Sequence, residues 1–238
     1  MTNPDYFGLT VNLVLLEHGA NMDFSAMIKI CGISTKETAD AVTKEQADMI
    51  GFVFFPKSPR HVSVAQAKEL VDHVRGKIKI VALTVNMDDA GLKEIVDNIA
   101  PDILQLHGSE SPERCAYIRE TFGVPVMKAF GISSSEDIEA LQPYIPHVDR
   151  FLLDAKPPKN SDIPGGNGVS FDWKLLQGLK LGKPIMLSGG LSPANVREAL
   201  AISGVSDVDV SSGVEREKGV KDIELIEAFV REARSVAE

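Results

Sequence analysis

The strongest constraint in this chain is a repeat of form. From Met27 onward, a short β-branched or apolar run is followed by a longer stretch of mixed charge at helical spacing, eight times over. The runs begin near Met27, Asp48, Ile78, Asp102, Val124, Asp149, Pro184 and Asp207, each separated from the next by the length of one βα unit. Strands alternating with helices predict a parallel sheet. Eight such units predict closure into a (β/α)8 TIM barrel, an α/β fold occupying residues 27–238 as one domain. An open doubly wound sheet is the alternative, and the first turn, CGIST, lacks the GxGxxG that such a sheet uses for dinucleotides. Helices are expected over Thr35 to Gln46 behind a Ser34 cap, Val64 to Arg75 behind Ser63, Ser192 to Leu200, and Asp222 to Ala237.

Residues 1–26 stand outside this pattern. They hold an apolar patch from Leu9 to Leu16, three acids (Asp5, Glu17, Asp23) and no Lys or Arg, so they make a poor signal peptide. They are expected to be an N-terminal extension or a start-site artefact, with Met27 as the domain's own start. No apolar run approaches the roughly 18 residues of a membrane helix. The net charge of -9 repels phosphate backbones, which argues against nucleic acid while leaving room for a local cationic pocket. Only two cysteines, Cys31 and Cys115, are present, which is neither a disulfide framework nor a metal site, and a reducing cytoplasm fits them. The acidic surface and the lack of an exposed apolar stripe permit a monomer, with a homodimer left open.

In a barrel the chemistry sits where strands end and βα loops begin. Cys31 ends the first strand, before Gly32, and shares a face with Lys29. That position makes it a candidate base or nucleophile, against the usual role of a buried cysteine as a small hydrophobe. Cys115, inside a helical stretch, takes the latter role. Arg60, in the stiff loop FPKSPRHV, has the planar fork that suits a carboxylate, although loop arginines are more often simply solvated. His107 and Lys128 are a candidate acid or base and a candidate Schiff-base amine, and packing or pairing is the more usual fate of each. Asp154 ends the sixth strand facing the mouth, where burial would favour a protonated general acid. Gly165, Gly166 and Gly168 form a glycine-rich loop able to approach an anion, while Phe171 and Trp173 are read as core at the start of the next helix. The strongest signal is a pair of small turns after strands seven and eight. Gly189 and Gly190 supply one side and Ser211, Ser212 and Gly213 the other, where a barrel holds phosphate.

Taken in order, KICGI, GFVFFPKSPRHV, LQLHG, LLDA, GGNGVSFDW, SGGLSPANV and DVSSGVE resemble the phosphoribosylanthranilate isomerases of tryptophan biosynthesis. The resemblance implies a barrel enzyme needing no metal or organic cofactor and acting on a phosphorylated small molecule. It implies an Amadori rearrangement of N-(5-phosphoribosyl)anthranilate to 1-(2-carboxyphenylamino)-1-deoxyribulose 5-phosphate. By the same resemblance Cys31 is the base, Asp154 the acid and Arg60 the anthranilate-binding group. Gly189, Gly190, Ser212 and Gly213 hold the phosphate, helped by the loop at Gly165 to Gly168, and Asp209 lies near the substrate amine. Such a base calls for a thiol shifted below its ordinary range. The chain departs from the family pattern at Val169, where many relatives carry a lysine, and in residues 1–26. Two rivals stand beside this reading: an aldolase using Lys128, and a phospholigand-binding barrel without catalysis.

Overall fold

The computed structural model describes residues 27–156, 165–166 and 168–235; the N-terminal extension lies outside them. Eight parallel strands close into a barrel in chain order: β1 Ile28–Cys31, β2 Met49–Phe54, β3 Lys79–Thr84, β4 Ile103–Leu106, β5 Val126–Ile132, β6 Arg150–Ala155, β7 Ile185–Leu187 and β8 Asp207–Val210. Each of the eight barrel strands lies at a predicted start. The barrel closes between β1 and β8, with Lys29 registered against Asp209. Because alternate side chains face opposite sides, each strand feeds two cores. Inside the barrel, Met49, Val81, Met127, Ala129, Leu152 and Met186 form a lower layer, and Cys31, Val53 and Leu83 an upper one. The opposite faces join the helices in one large outer cluster that includes Ile30, Phe52, Phe151, Val208 and Phe229.

The ring of helices is α1 Lys36–Lys44, α2 Val64–Val74, α3 Asp89–Ile99, α4 Pro112–Phe122, α5 Ser135–Glu139, α6 Val196–Ser203 and α7 Ile223–Arg234. Local chemistry sets their starts. Ser63 and Gln66 form a reciprocal capping box at α2, and the Asp222 carboxylate accepts from the Leu225 amide at α7. Two starts differ from expectation. Thr35, rather than Ser34, caps α1, because its backbone is extended and its hydroxyl accepts from the Thr38 amide. The helix expected from Ser192 begins at Val196, because Asn195 Oδ1 takes the Ser192 amide at 2.8 Å and holds the intervening residues in a turn. The helix expected after β6 is only a short 3-10 turn, Trp173–Leu176. The loop after β8 carries an unforeseen hairpin, β9 Glu215–Glu217 with β10 Val220–Lys221, antiparallel. Among the described residues no helix is long and apolar enough to cross a membrane.

Candidate active site

At the C-terminal end of the barrel lies a cavity of about 660 Å³, counting its open mouth. Cys31, Arg60, Asp154, Gly165, Gly166, Gly189, Gly190, Asp209, Ser211 and Ser212 all line it. These residues lie far apart in sequence and share one feature, a place at or just beyond a strand's C-terminal end. Gly168 lies beside Ser212, and Gly213 packs beneath the turns; neither is part of the lining.

Cys31 occupies a slot that Gly51 opens on the neighbouring strand, where an added Cβ would stand 3.0 Å from its sulfur. Beside it, Lys29 Nζ pairs with Asp209 Oδ1 at 2.7 Å, and Ser188 Oγ donates to Asp209 Oδ2 at 3.0 Å. Burial pushes the Cys31 thiol up; the cations Lys29 and Lys221 pull the other way without overcoming it, and Asp209 adds to the rise. The depressed thiol expected of a resting base is therefore not found in the free protein. Lys29 is raised: burial opposes its charge, but Asp209 and Cys31 outweigh that cost.

Asp154 lies three strands from Cys31 around the barrel. Its Oδ1 accepts from the Ala155 amide at 2.8 Å, and its Oδ2 stands 3.5 Å from His107 Nε2. Gln105 Nε2 meets the other ring nitrogen of His107 at 3.1 Å. The glycine-rich loop comes down on this group and on Arg60. A Cβ on Gly165 would stand 2.6 Å from Asp154 Oδ2, and one on Gly166 would stand 2.6 Å from Arg60 Nη1.

Arg60 is buried, not solvated. Its Nε and Nη2 bind both oxygens of Glu215, at 2.7 and 2.9 Å, and Lys221 Nζ joins Glu215 Oε1 at 2.8 Å. Nη2 also reaches the Gly166 carbonyl at 3.3 Å. Lys221 donates onward to Ser211, whose hydroxyl donates to the Cys31 carbonyl at 3.0 Å. Ser211 thus ties the arginine cluster to the first strand.

The loops after β6, β7 and β8 press together through glycines. A Cβ on Gly190 would stand 2.7 Å from the Val169 carbonyl carbon, and one on Gly213 would overlap the Leu191 carbonyl oxygen. Asn195 Nδ2 donates to the Gly190 carbonyl at 2.9 Å and fixes the turn between them. Val169 itself is exposed.

Residues 28–232 match the family model for N-(5'-phosphoribosyl)anthranilate isomerase. The chain belongs to this family. Curated isomerases of that name from Rhodopseudomonas palustris (strain HaA2) and Agrobacterium fabrum are 53% and 54% identical, covering 90% and 85% of this chain and 98% and 92% of theirs. The solved phosphoribosyl anthranilate isomerase of Thermotoga maritima is similar at a TM-score of 0.80 and 36% identity, over 88% of this chain and 99% of that one. Another, in complex with reduced 1-(o-carboxyphenylamino)-1-deoxyribulose 5-phosphate, gives 0.77 and 33%, over 88% and 99%. As a member of the phosphoribosylanthranilate isomerase family, the protein is an enzyme of tryptophan biosynthesis.

Within that family's barrel, Lys128 does not line the cavity. It faces outward and hydrogen-bonds the carbonyls of Gly108 and Ala129 at 2.9 and 2.8 Å, with Glu110 3.3 Å away. Sequence reasoning missed Glu215, Lys221, Ser188, Gly51 and Asn195. Four of them, Glu215, Ser188, Gly51 and Asn195, lie inside the motifs that carry the family resemblance, while Lys221 lies outside them.

Proposed function

We propose that the chain isomerises N-(5-phosphoribosyl)anthranilate to 1-(2-carboxyphenylamino)-1-deoxyribulose 5-phosphate, with Asp154 as acid and Cys31 as base. The observation that carries this reading is one cavity in a family barrel, lined by a thiol, a carboxyl group, a guanidinium and the two glycine turns. The phosphate sits on the turns at Gly189–Gly190 and Ser212, with Gly213 and Gly168 supporting them. The anthranilate carboxylate faces Arg60, with the secondary amine near Asp209.

Asp154 gives its proton to the ribose ring oxygen. The C1–O bond breaks as the amine lone pair moves in, leaving a protonated imine. The Cys31 thiolate then removes the C2 proton, and the electrons return to nitrogen as an enolamine. Protonation at C1 and loss of the enol proton give the ketone, so no external reactant is needed. The pair works with its proton on Asp154 and none on Cys31. Burial opposes the thiolate, so the Lys29 and Lys221 charges are part of the base's equipment.

All the named groups belong to one chain, so a monomer suffices and a dimer is compatible. Both cysteines are free, and we place the enzyme in the reducing cytoplasm. The test is loss of anthranilate fluorescence on substrate made in situ. Cys31→Ala and Asp154→Asn should each lower turnover by about 10² to 10⁴ without unfolding. Arg60→Ala should mainly raise KM. Near-normal turnover in either of the first two variants would sink the assignment, and tight substrate binding without turnover would favour a binding protein.

A further inference from the structure

A guanidinium that receives a substrate carboxylate must offer N–H groups at a fixed angle, and a free arginine side chain does not hold one. Arg60 is held. Glu215 takes it side-on through Nε and Nη2, while Nη1 lies under the Gly166 backbone at the cavity. Each Glu215 oxygen is itself doubly engaged: Oε1 also accepts from Lys221 Nζ at 2.8 Å, and Oε2 from the Gly219 amide at 3.0 Å. The side chains of Arg60, Glu215 and Lys221 are 5%, 4% and 1% exposed. Two buried cations and one carboxylate leave one positive charge in excess at the cavity wall. An incoming carboxylate balances it.

We propose that Glu215 is a positioning residue for substrate. It aims Arg60 at the anthranilate carboxylate while Lys221 keeps the cluster cationic. The inference rests on the reading that Arg60 binds that carboxylate. Without the Glu215 charge, two buried cations stand close together with nothing between them, and the guanidinium has no fixed direction. Loss of a purely structural ion pair would lower stability without discriminating between ligands.

The experiment measures binding of two ligands by calorimetry: the reduced product, and its counterpart with phenyl in place of carboxyphenyl. Wild type, Arg60→Ala, Glu215→Gln and Glu215→Asp are compared, with melting curves for each. Wild type should prefer the carboxylated ligand, and Arg60→Ala should lose that preference. Glu215→Gln should reduce the preference about tenfold or more, with KM rising more than kcat falls, and Glu215→Asp should recover part of it. If wild type shows no preference, the Arg60 reading fails and the inference goes with it. If Arg60→Ala loses the preference while a folded Glu215 variant keeps or increases it, the inference alone is overturned. Should Glu215→Gln not fold, the same comparison in Glu215→Asp decides.

Discussion

Lys29 and Asp209 lie at registered positions on the two strands that close the barrel, and their side chains meet at 2.7 Å beside the Cys31 thiol. The pair is buried, with Ser188 completing the Asp209 carboxylate. It joins the seam of the fold to the chemistry: the lysine that offsets the aspartate is also the nearest cation to the sulfur.

Breaking such a pair leaves an uncompensated buried charge. Lys29→Met should cost about 3–5 kcal/mol, read as a lower denaturant midpoint with unchanged slope. The double variant Lys29→Met/Asp209→Leu should regain most of that stability. Turnover should stay low in both, since the cation beside Cys31 is gone. Full activity in the double variant would show that Lys29 serves stability alone.

Burial pushes the Cys31 thiol up, so the thiolate forms only as pH rises through and beyond the ordinary thiol range near 8.5. The limb of kcat/KM that reports the base should therefore still be rising above that value. Burial pushes Cys115 up as well, to about 11. The native state keeps the Cys31 proton longer than the unfolded chain does, so this residue's share of stability falls as pH climbs past the unfolded thiol value. Cys31→Ala should flatten that alkaline loss.

Glu215 behaves in the opposite sense. Burial works against its charge, but hydrogen bonds from Arg60 and the charge and hydrogen bond of Lys221 outweigh it and hold the carboxyl at about 2. Its stabilisation is complete above the unfolded carboxyl value near 4.3 and drains away as pH falls towards 2, about 2 to 3 kcal/mol in all. Acid titration of unfolding should show this loss in wild type and not in Glu215→Gln.

Lys128 points away from the cavity into a nest of carbonyls, and burial lowers its affinity for a proton despite Glu110. Borohydride with the sugar phosphate product should leave no adduct on it. Lys128→Met should reduce stability while the Cys31 and Asp154 chemistry persists. A trapped adduct at Lys128 would restore the aldolase reading.

Gly213 has no room for a side chain, since a Cβ would overlap the Leu191 carbonyl oxygen of the neighbouring turn. Gly213→Ala should push apart the two turns proposed to hold phosphate. The expected result is a several-fold higher KM and weaker inhibition by inorganic phosphate, with a smaller change in kcat. An unchanged KM would mean that the turns do not act together.

The strands, their order and the closed barrel were legible in the chain, because the alternation of apolar runs and helical stretches is a local property that survives without knowing what each segment touches. The start of α2 behind Ser63, the turns at Gly189 and Gly213, and the strand-end positions of Cys31 and Asp154 were legible for the same reason. Even there, neighbouring hydroxyls misled, since Ser34 and Thr35 differ only in which one the backbone turns toward the Thr38 amide. Closure decided the rest. It set Glu215 against Arg60 across 155 residues of sequence and Asp209 against Lys29 across 180, turned Lys128 outward, and surrounded Cys31 with enough protein to raise its thiol. Charge pairing and desolvation depend on which distant groups share a dry space, and sequence periodicity carries no record of that.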